Sequence, residues 1–146
     1  MKDFFFLVLG LAIIFGSVFL FLNQRVDRGG GDRVIKIGEN SFKVEIADTD
    51  EERALGLSGR TNLSEGSGVL FVLETTGRYG FWMKDMNFSI DIIWIDENFR
   101  ITGIEKNVLP ETYPEVFYPN EAIKYVLELP AGSSDKYRID IGAVIQ

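Results

Sequence analysis

Six side chains could do chemistry in this sequence: Arg60, Trp82, Lys84, Asp85, Asp91 and Glu128. Three of them fall in Phe81-Trp82-Met83-Lys84-Asp85-Met86, which sets an indole, two thioethers and an opposite-charge pair at the expected exit of a strand. If Phe81 and Met83 face the core, strand alternation puts Trp82 and Lys84 together on the other face. There an indole can pack a ligand and an ammonium can hold an anionic group. The competing reading has Trp82 and Met86 filling a second small core and Lys84 pairing with Asp85 or a neighbour at the surface. Asp91 interrupts an otherwise apolar stretch, so a buried carboxylate there needs a partner, with Arg53, Arg60 and Lys84 as candidates. A structural ion pair is the ordinary explanation; an open cleft holding Arg60, Lys84 and Asp91 would instead suit a polar or zwitterionic ligand. Glu128, on the strand before Pro130, shares the ambiguity, and its ordinary reading is the solvated position of an alternating strand.

What is missing narrows the chemistry further. Without cysteine there are no disulfides, thiol nucleophiles or thiolate metal sites. Without histidine the commonest general base, the Ser-His-Asp arrangement and most zinc geometries also go. A pair of carboxylates drawn from Asp85, Asp91, Asp96 and Glu128 could in principle hydrolyse a glycoside. The acidic run Asp48 to Glu52 lacks the alternating ligands, central glycine and distal glutamate of a calcium loop. We therefore assign no catalytic residue, no metal ligand and no cofactor from the sequence. A net charge of -7 argues against a nucleic-acid partner, which needs clustered positive charge.

The elements that must position these residues follow a long apolar run. Residues 4–22 carry no charge and match the length of a bilayer-spanning helix. The run is longer than a signal-peptide core and no small-x-small cleavage site follows it, so an uncleaved anchor is expected rather than a removed signal. Lys2 on one side and Arg25, Arg28 and Arg33 on the other leave the charge rule close to balanced, and a short cytoplasmic tail with the head outside is the preferred orientation. Residues 23–33, with Gly29, Gly30 and Gly31 among Asp and Arg, read as a flexible linker. Residues 34–146 read as one globular, β-rich domain.

Within the head, Val34 to Ile37 and Phe42 to Ile46 flank Gly38-Glu39-Asn40 as a β-hairpin. Thr49 and Glu52 have capping-box spacing, predicting a helix of about two turns that ends at the glycines Gly56 and Gly59. Strands are expected at 69–73, 80–83, 90–95, 100–108 and 125–129, with Gly103 marking a bulge. Pro110, Pro114 and Pro119 mark a long ordered loop. Ser133 or Ser134 could cap one helical turn, and 143–145 would be a last short strand. The fold class expected is α+β, mostly β: a single antiparallel, barrel-like or sandwich-like sheet with one short helix, behind an N-terminal transmembrane helix.

Five phrases in order resemble one family: Glu51-Glu52-Arg53-Ala54-Leu55-Gly56-Leu57, Gly68-Val69-Leu70-Phe71-Val72, Phe81-Trp82-Met83-Lys84-Asp85-Met86, Asp91-Ile92-Ile93-Trp94-Ile95-Asp96 and Tyr125-Val126-Leu127-Glu128-Leu129-Pro130-Ala131-Gly132. On them the chain resembles the domain of unknown function 192 family of small β-rich prokaryotic domains, often preceded by a signal or anchor. Ser89 stands where that pattern often has proline, and Ala143 where an aspartate is usual. The resemblance implies fold and location, and it brings no established reaction. The reading is thus a membrane-anchored extracytoplasmic domain that binds a small ligand or an envelope protein without catalysis. The alternatives are a structural part of an envelope complex or a carboxylate-dependent hydrolase.

Overall fold

The computed structural model describes residues 31–146; the expected anchor and most of the linker lie outside the described residues. Among the described residues no helix is long and apolar enough to cross a membrane. The described chain is a mostly-β α+β fold. Its elements are β1 (Arg33–Ile37), β2 (Asn40–Ala47), α1 (Asp50–Leu55), β3 (Ser67–Gly77), β4 (Phe81–Trp82), β5 (Ile90–Ile95), β6 (Ile101–Val108), a 3-10 turn (Pro110–Thr112), β7 (Val116–Phe117), β8 (Ile123–Pro130) and α2 (Ser133–Lys136). Six strands form one sheet in the order β1-β2-β3-β8-β5-β6, and β4 and β7 form a separate two-stranded ribbon.

The hairpin forms as its turn residues predict, with Gly38 at a φ of 59°. The next connection departs from the antiparallel expectation, because β2 and β3 are parallel, Lys43 opposite Ser67 and Ala47 opposite Phe71. Parallel neighbours need a crossover, and α1 with the loop after it supplies one. That helix starts at a complete capping box: the Thr49 hydroxyl accepts the Glu52 N–H, and the Glu52 carboxylate accepts the Thr49 N–H, both at 3.2 Å. The Thr49 and Asp48 N–H groups, both donating to it, hold the Glu52 carboxyl below its ordinary pKa. It is also short, six residues, and stops at Gly56, whose φ of 47° favours glycine.

The helical turn expected after Gly132 forms as α2, but neither Ser133 nor Ser134 caps it with its side chain. The strand expected at 80–83 shrinks to Phe81–Trp82, paired with β7 from within the proline-rich loop. Gly80 makes that pairing possible, since a Cβ there would lie 2.4 Å from Val116 Cγ1. In β6 the register slips beside Gly103, which stands opposite Trp94 while Ile101 stands opposite Ile95.

Every residue of β5 is buried, because the sheet carries a core on each face. Alternation sorts the side chains. Ile93, Ile95, Leu127 and Leu129 pack with Phe42, Val44 and Leu70, while Ile92, Trp94 and Val126 pack with Leu57, Phe71 and Met83. The two edges, β1 and β6, are tied together by residues 143–146. Lys36 and Gln146 exchange both backbone hydrogen bonds at 2.7 and 2.9 Å, and the Ile145 N–H and Ala143 carbonyl bond Phe99 and Ile101 at 2.9 Å. Main-chain groups that an open sheet would expose are thereby paired at both sides.

Candidate ligand-binding site

Four elements converge on the second face of the sheet. The end of α1, β3, the β4 strand with its flanking residues, and β8 enclose a cavity of about 370 Å³. Phe71, Tyr79, Phe81, Trp82 and Met86 line it with rings and a thioether, and Glu128 reaches it from β8. The walls are braced edge to face: Phe71 against Phe81 at 5.1 Å between ring centres, Phe81 against Trp94 at 5.6 Å, and Trp82 against Tyr113 at 6.2 Å. Trp82 remains 55% exposed at the mouth.

Glu128 is not the solvated residue that alternation on a surface strand predicts; it is 6% exposed. The reason is that β8 lies in the middle of the sheet with a core on both faces, so its stretch from Val126 to Leu129 is buried on either side. Among the described residues no hydrogen bond reaches its carboxyl group. Burial pushes its pKa up to about 8, against the pull of the Arg60 charge. The Arg60 guanidinium itself is bound in a fork by Glu45, at 2.6 and 2.7 Å, and holds that carboxylate below its usual range.

Asp91 has a different fate. It is fully buried, but none of Arg53, Arg60 or Lys84 is its partner. Three backbone N–H groups are: Asn107 and Gly132 donate to Oδ1 at 2.8 and 3.1 Å, and Ser134 donates to Oδ2 at 2.8 Å. The carboxylate caps α2 from a neighbouring strand, a role expected of Ser133 or Ser134. The side chains of Ser133 and Lys136 have the Ser-x-x-Lys spacing of some nucleophilic sites; here Lys136 binds the Glu65 carboxylate.

Lys84 and Asp85 lie in a turn just past β4, where strand alternation has already ended, and they do not line the cavity. Their main chain does the work: the Lys84 carbonyl accepts from Ser58 Oγ at 3.0 Å, and the Asp85 carbonyl from the Gly59 N–H at 2.8 Å. The turn thus clasps the segment after α1 that closes one side of the cavity. Of the six residues singled out, the cavity gathers Trp82 and Glu128, with Arg60 acting on Glu128 through its charge.

Arg53, a candidate partner for Asp91, lines the cavity instead. Its guanidinium donates to the Val72 carbonyl at 2.9 Å, to Asp50 Oδ1 at 2.6 Å and to the Asp48 carbonyl. A signal for the whole site is present in the ordered phrases. Four of the five put residues into the cavity wall: Arg53 to Leu57, Phe71, Phe81 with Trp82 and Met86, and Glu128. The fifth supplies Asp91, whose partner Gly132 closes the phrase around Glu128. Among the described residues no cluster of three or more Asp or Glu is placed to hold a metal ion.

The family model for domain of unknown function 192, described as uncharacterized ACR, matches residues 33–146. A UPF0127 protein of Pyrococcus abyssi is 31% identical over 112 residues, covering 71% of this chain and 85% of that protein. A UPF0127 protein of Pyrococcus horikoshii is 28% identical over 109 residues, covering 71% and 86%. Among solved structures, a protein of unknown function from Novosphingobium aromaticivorans is similar with a TM-score of 0.76 and 25% identity, over 84% of this chain and 89% of that one. A Sinorhizobium meliloti protein, named as a candidate transcription regulator, has a TM-score of 0.75 at 24% identity, over 80% and 93%, a likeness of fold alone.

Proposed function

This chain belongs to the domain of unknown function 192 family, and from that premise we propose that it is a membrane-anchored, extracytoplasmic binding module that holds a small ligand in the cavity under α1 without catalysing a reaction. The observation that carries the reading is Glu128: an acid whose carboxyl has no hydrogen-bond partner among the described residues and opens onto an aromatic-walled cavity of about 370 Å³. That volume lies within the range of small-molecule sites, and the walls set aromatic rings beside polar and charged groups such as Asp50, Arg53 and Glu128. Buried polar groups are ordinarily satisfied, so one left open in a cavity points to something that enters it. The anchor reading is supported by the uncharged run at 4–22.

A carboxylate-dependent glycoside hydrolase needs two acids flanking one bond. Asp91 cannot be the second, since it lies on the other face of the sheet with its oxygens occupied by three N–H donors. The acidic balance also speaks against nucleic acid. A role in an envelope assembly has one observation in its favour: Trp82, Tyr113 and Tyr118 are exposed near the mouth, where a partner protein could cover them.

The test is a thermal-shift screen of a small-metabolite library on the full chain in detergent micelles, with Trp82→Ala and Glu128→Gln beside it. A ligand at one hundred times its Kd stabilises by about 2.7 kcal/mol. The reading expects compounds that raise the melting temperature of the wild type and act weakly on both variants. Compounds that act equally on all three bind elsewhere and sink it. If a partner protein's capture depends on the exposed aromatics and not on Glu128, the assembly role replaces this one.

A further inference from the structure

The ligand's chemistry is legible in the charges around the cavity. Glu128 stands in an environment that disfavours its ionised form, and a cationic ligand would supply the counter-charge that the protein leaves out. Asp50 and Glu74 line the cavity beside one cation, Arg53, whose guanidinium is already engaged by Asp50 and two carbonyls. Arg60, behind Glu128, is held in both arms by Glu45. Lys84, the residue that would have received an anionic group, is not in the lining. An anion or a zwitterion therefore finds no uncommitted cation here. A positive ligand finds an acid and four aromatic rings, those of Phe71, Tyr79, Phe81 and Trp82, whose quadrupoles attract cations.

We infer that the cavity binds a small organic ammonium ion, its charged head set between the Glu128 carboxylate and the aromatic walls. The inference rests on the reading of the cavity as a ligand site and names the class of ligand. Recognition of alkylated ammonium groups by aromatic enclosures is the general chemistry behind it. Binding brings a proton balance with it: when the cation enters, Glu128 releases its proton to solvent and the ion pair forms. The other titratable or charged groups of the lining are Asp50 and Arg53 on α1, Glu74 on β3 and Tyr79 before β4, and Arg60 acts on Glu128 through its charge from outside the lining. None of these adds a charge that a cation must overcome except the two arginines, and both are already neutralised by Asp50 and Glu45.

The experiment compares choline, whose charge does not titrate, with its neutral isostere 3,3-dimethylbutan-1-ol. Each is titrated into the full chain in detergent micelles by calorimetry and by tryptophan fluorescence. Choline should bind about tenfold or more tightly than the isostere, the order of a desolvated cation–π contact with an ion pair. Glu128→Gln should remove that preference, Trp82→Ala should weaken choline binding, and choline affinity should rise with pH until Glu128 is ionised and then level off. Equal affinity for the two compounds overturns the ammonium inference but leaves the cavity as a ligand site chosen by shape. Choline binding unchanged in both variants overturns both readings, because the bound molecule then lies elsewhere. No binding of choline at millimolar concentration overturns the inference outright. Trp82 is exposed, so its replacement reports on binding even if the buried substitution perturbs folding.

Discussion

Asp91 and Glu128 lie on adjacent strands, a single step out of register, and point to opposite faces of the sheet. Ile92 stands opposite Glu128, and Asp91 opposite Leu129, and paired residues in an antiparallel ladder share a face. One buried acid is therefore surrounded by backbone donors, and the other is left without any. Their roles separate by the same geometry, structural for Asp91 and binding for Glu128.

The first prediction concerns Asp91. Replacing it by Ala strands three buried or half-buried N–H groups and uncaps α2. Each unsatisfied donor costs on the order of 1–3 kcal/mol, with partial relief from water, so a loss of about 2–5 kcal/mol is expected. Urea unfolding measures it. A change below about 1 kcal/mol means that the carboxylate is not what holds this corner.

Glu128 sets a pH dependence with the opposite sign from a salt-bridged acid. Its folded pKa, about 8, is raised above the ordinary value of 4.5, so between those values the folded state binds more protons than the unfolded one. Stability contributed by this group is present below the lower value, falls as pH rises through the window, and levels off above the upper one. A tenfold difference in proton affinity is worth about 1.36 kcal/mol, so the whole window amounts to a few kcal/mol. Glu128→Gln, which stays neutral, should hold a constant difference from the wild type below pH 4.5 and gain on it from there to about pH 8. A constant difference across that range contradicts the assignment.

The tie between the two sheet edges makes Ile145 sensitive despite its place near the end of the tail. It is buried in the core of the first face, and its N–H bonds the Phe99 carbonyl. Ile145→Ala should lose about 2–4 kcal/mol, and hydrogen exchange should quicken in β1 and β6 together. Exchange that quickens in only one of them shows that the tail does not couple the edges.

The anchor reading makes a location prediction. Full-length chain expressed in cells should sediment with membranes and resist extraction by high salt, and the head should be cut by protease added outside the cytoplasmic compartment. A chain in the soluble fraction, or a head protected until the cells are broken, overturns the anchor or its orientation respectively.

How much of the fold and the site is legible in the sequence depends on whether the determinant is local. The capping box at Thr49 and Glu52, the hairpin at Gly38 and the strand Ile90 to Ile95 are written in adjacent residues, and each forms where the spacing puts it. The parallel pairing of β2 with β3 is not, because it depends on where the segment after α1 returns the chain. Glu128 escapes for a related reason. Period-two alternation says which residues share a face, but only the strand order says whether a face is open, and β8 is central. For Asp91 the need for a partner is visible, while the partners are main-chain groups that carry no side-chain signature. Trp82 does stand at a surface, and Lys84 is not beside it because the strand ends at Trp82, two residues short of Lys84.

The central position of β8 bears on the timing of synthesis. Residues 123–130 are made after every other strand, yet they are the seam that joins β1-β2-β3 to β5-β6. As the chain emerges from N-terminus to C-terminus, it carries two partial sheets with unsatisfied edges at β3 and β5 until the seam arrives. The union of the two halves is therefore deferred to one late step, which favours slow, non-local folding. Any nascent chain halted before residue 123 lacks both the seam and the tail at 143–146, so the borders of β3, β5, β1 and β6 are all open, which makes stalled translation or translocation the moment when this protein is most prone to aggregate.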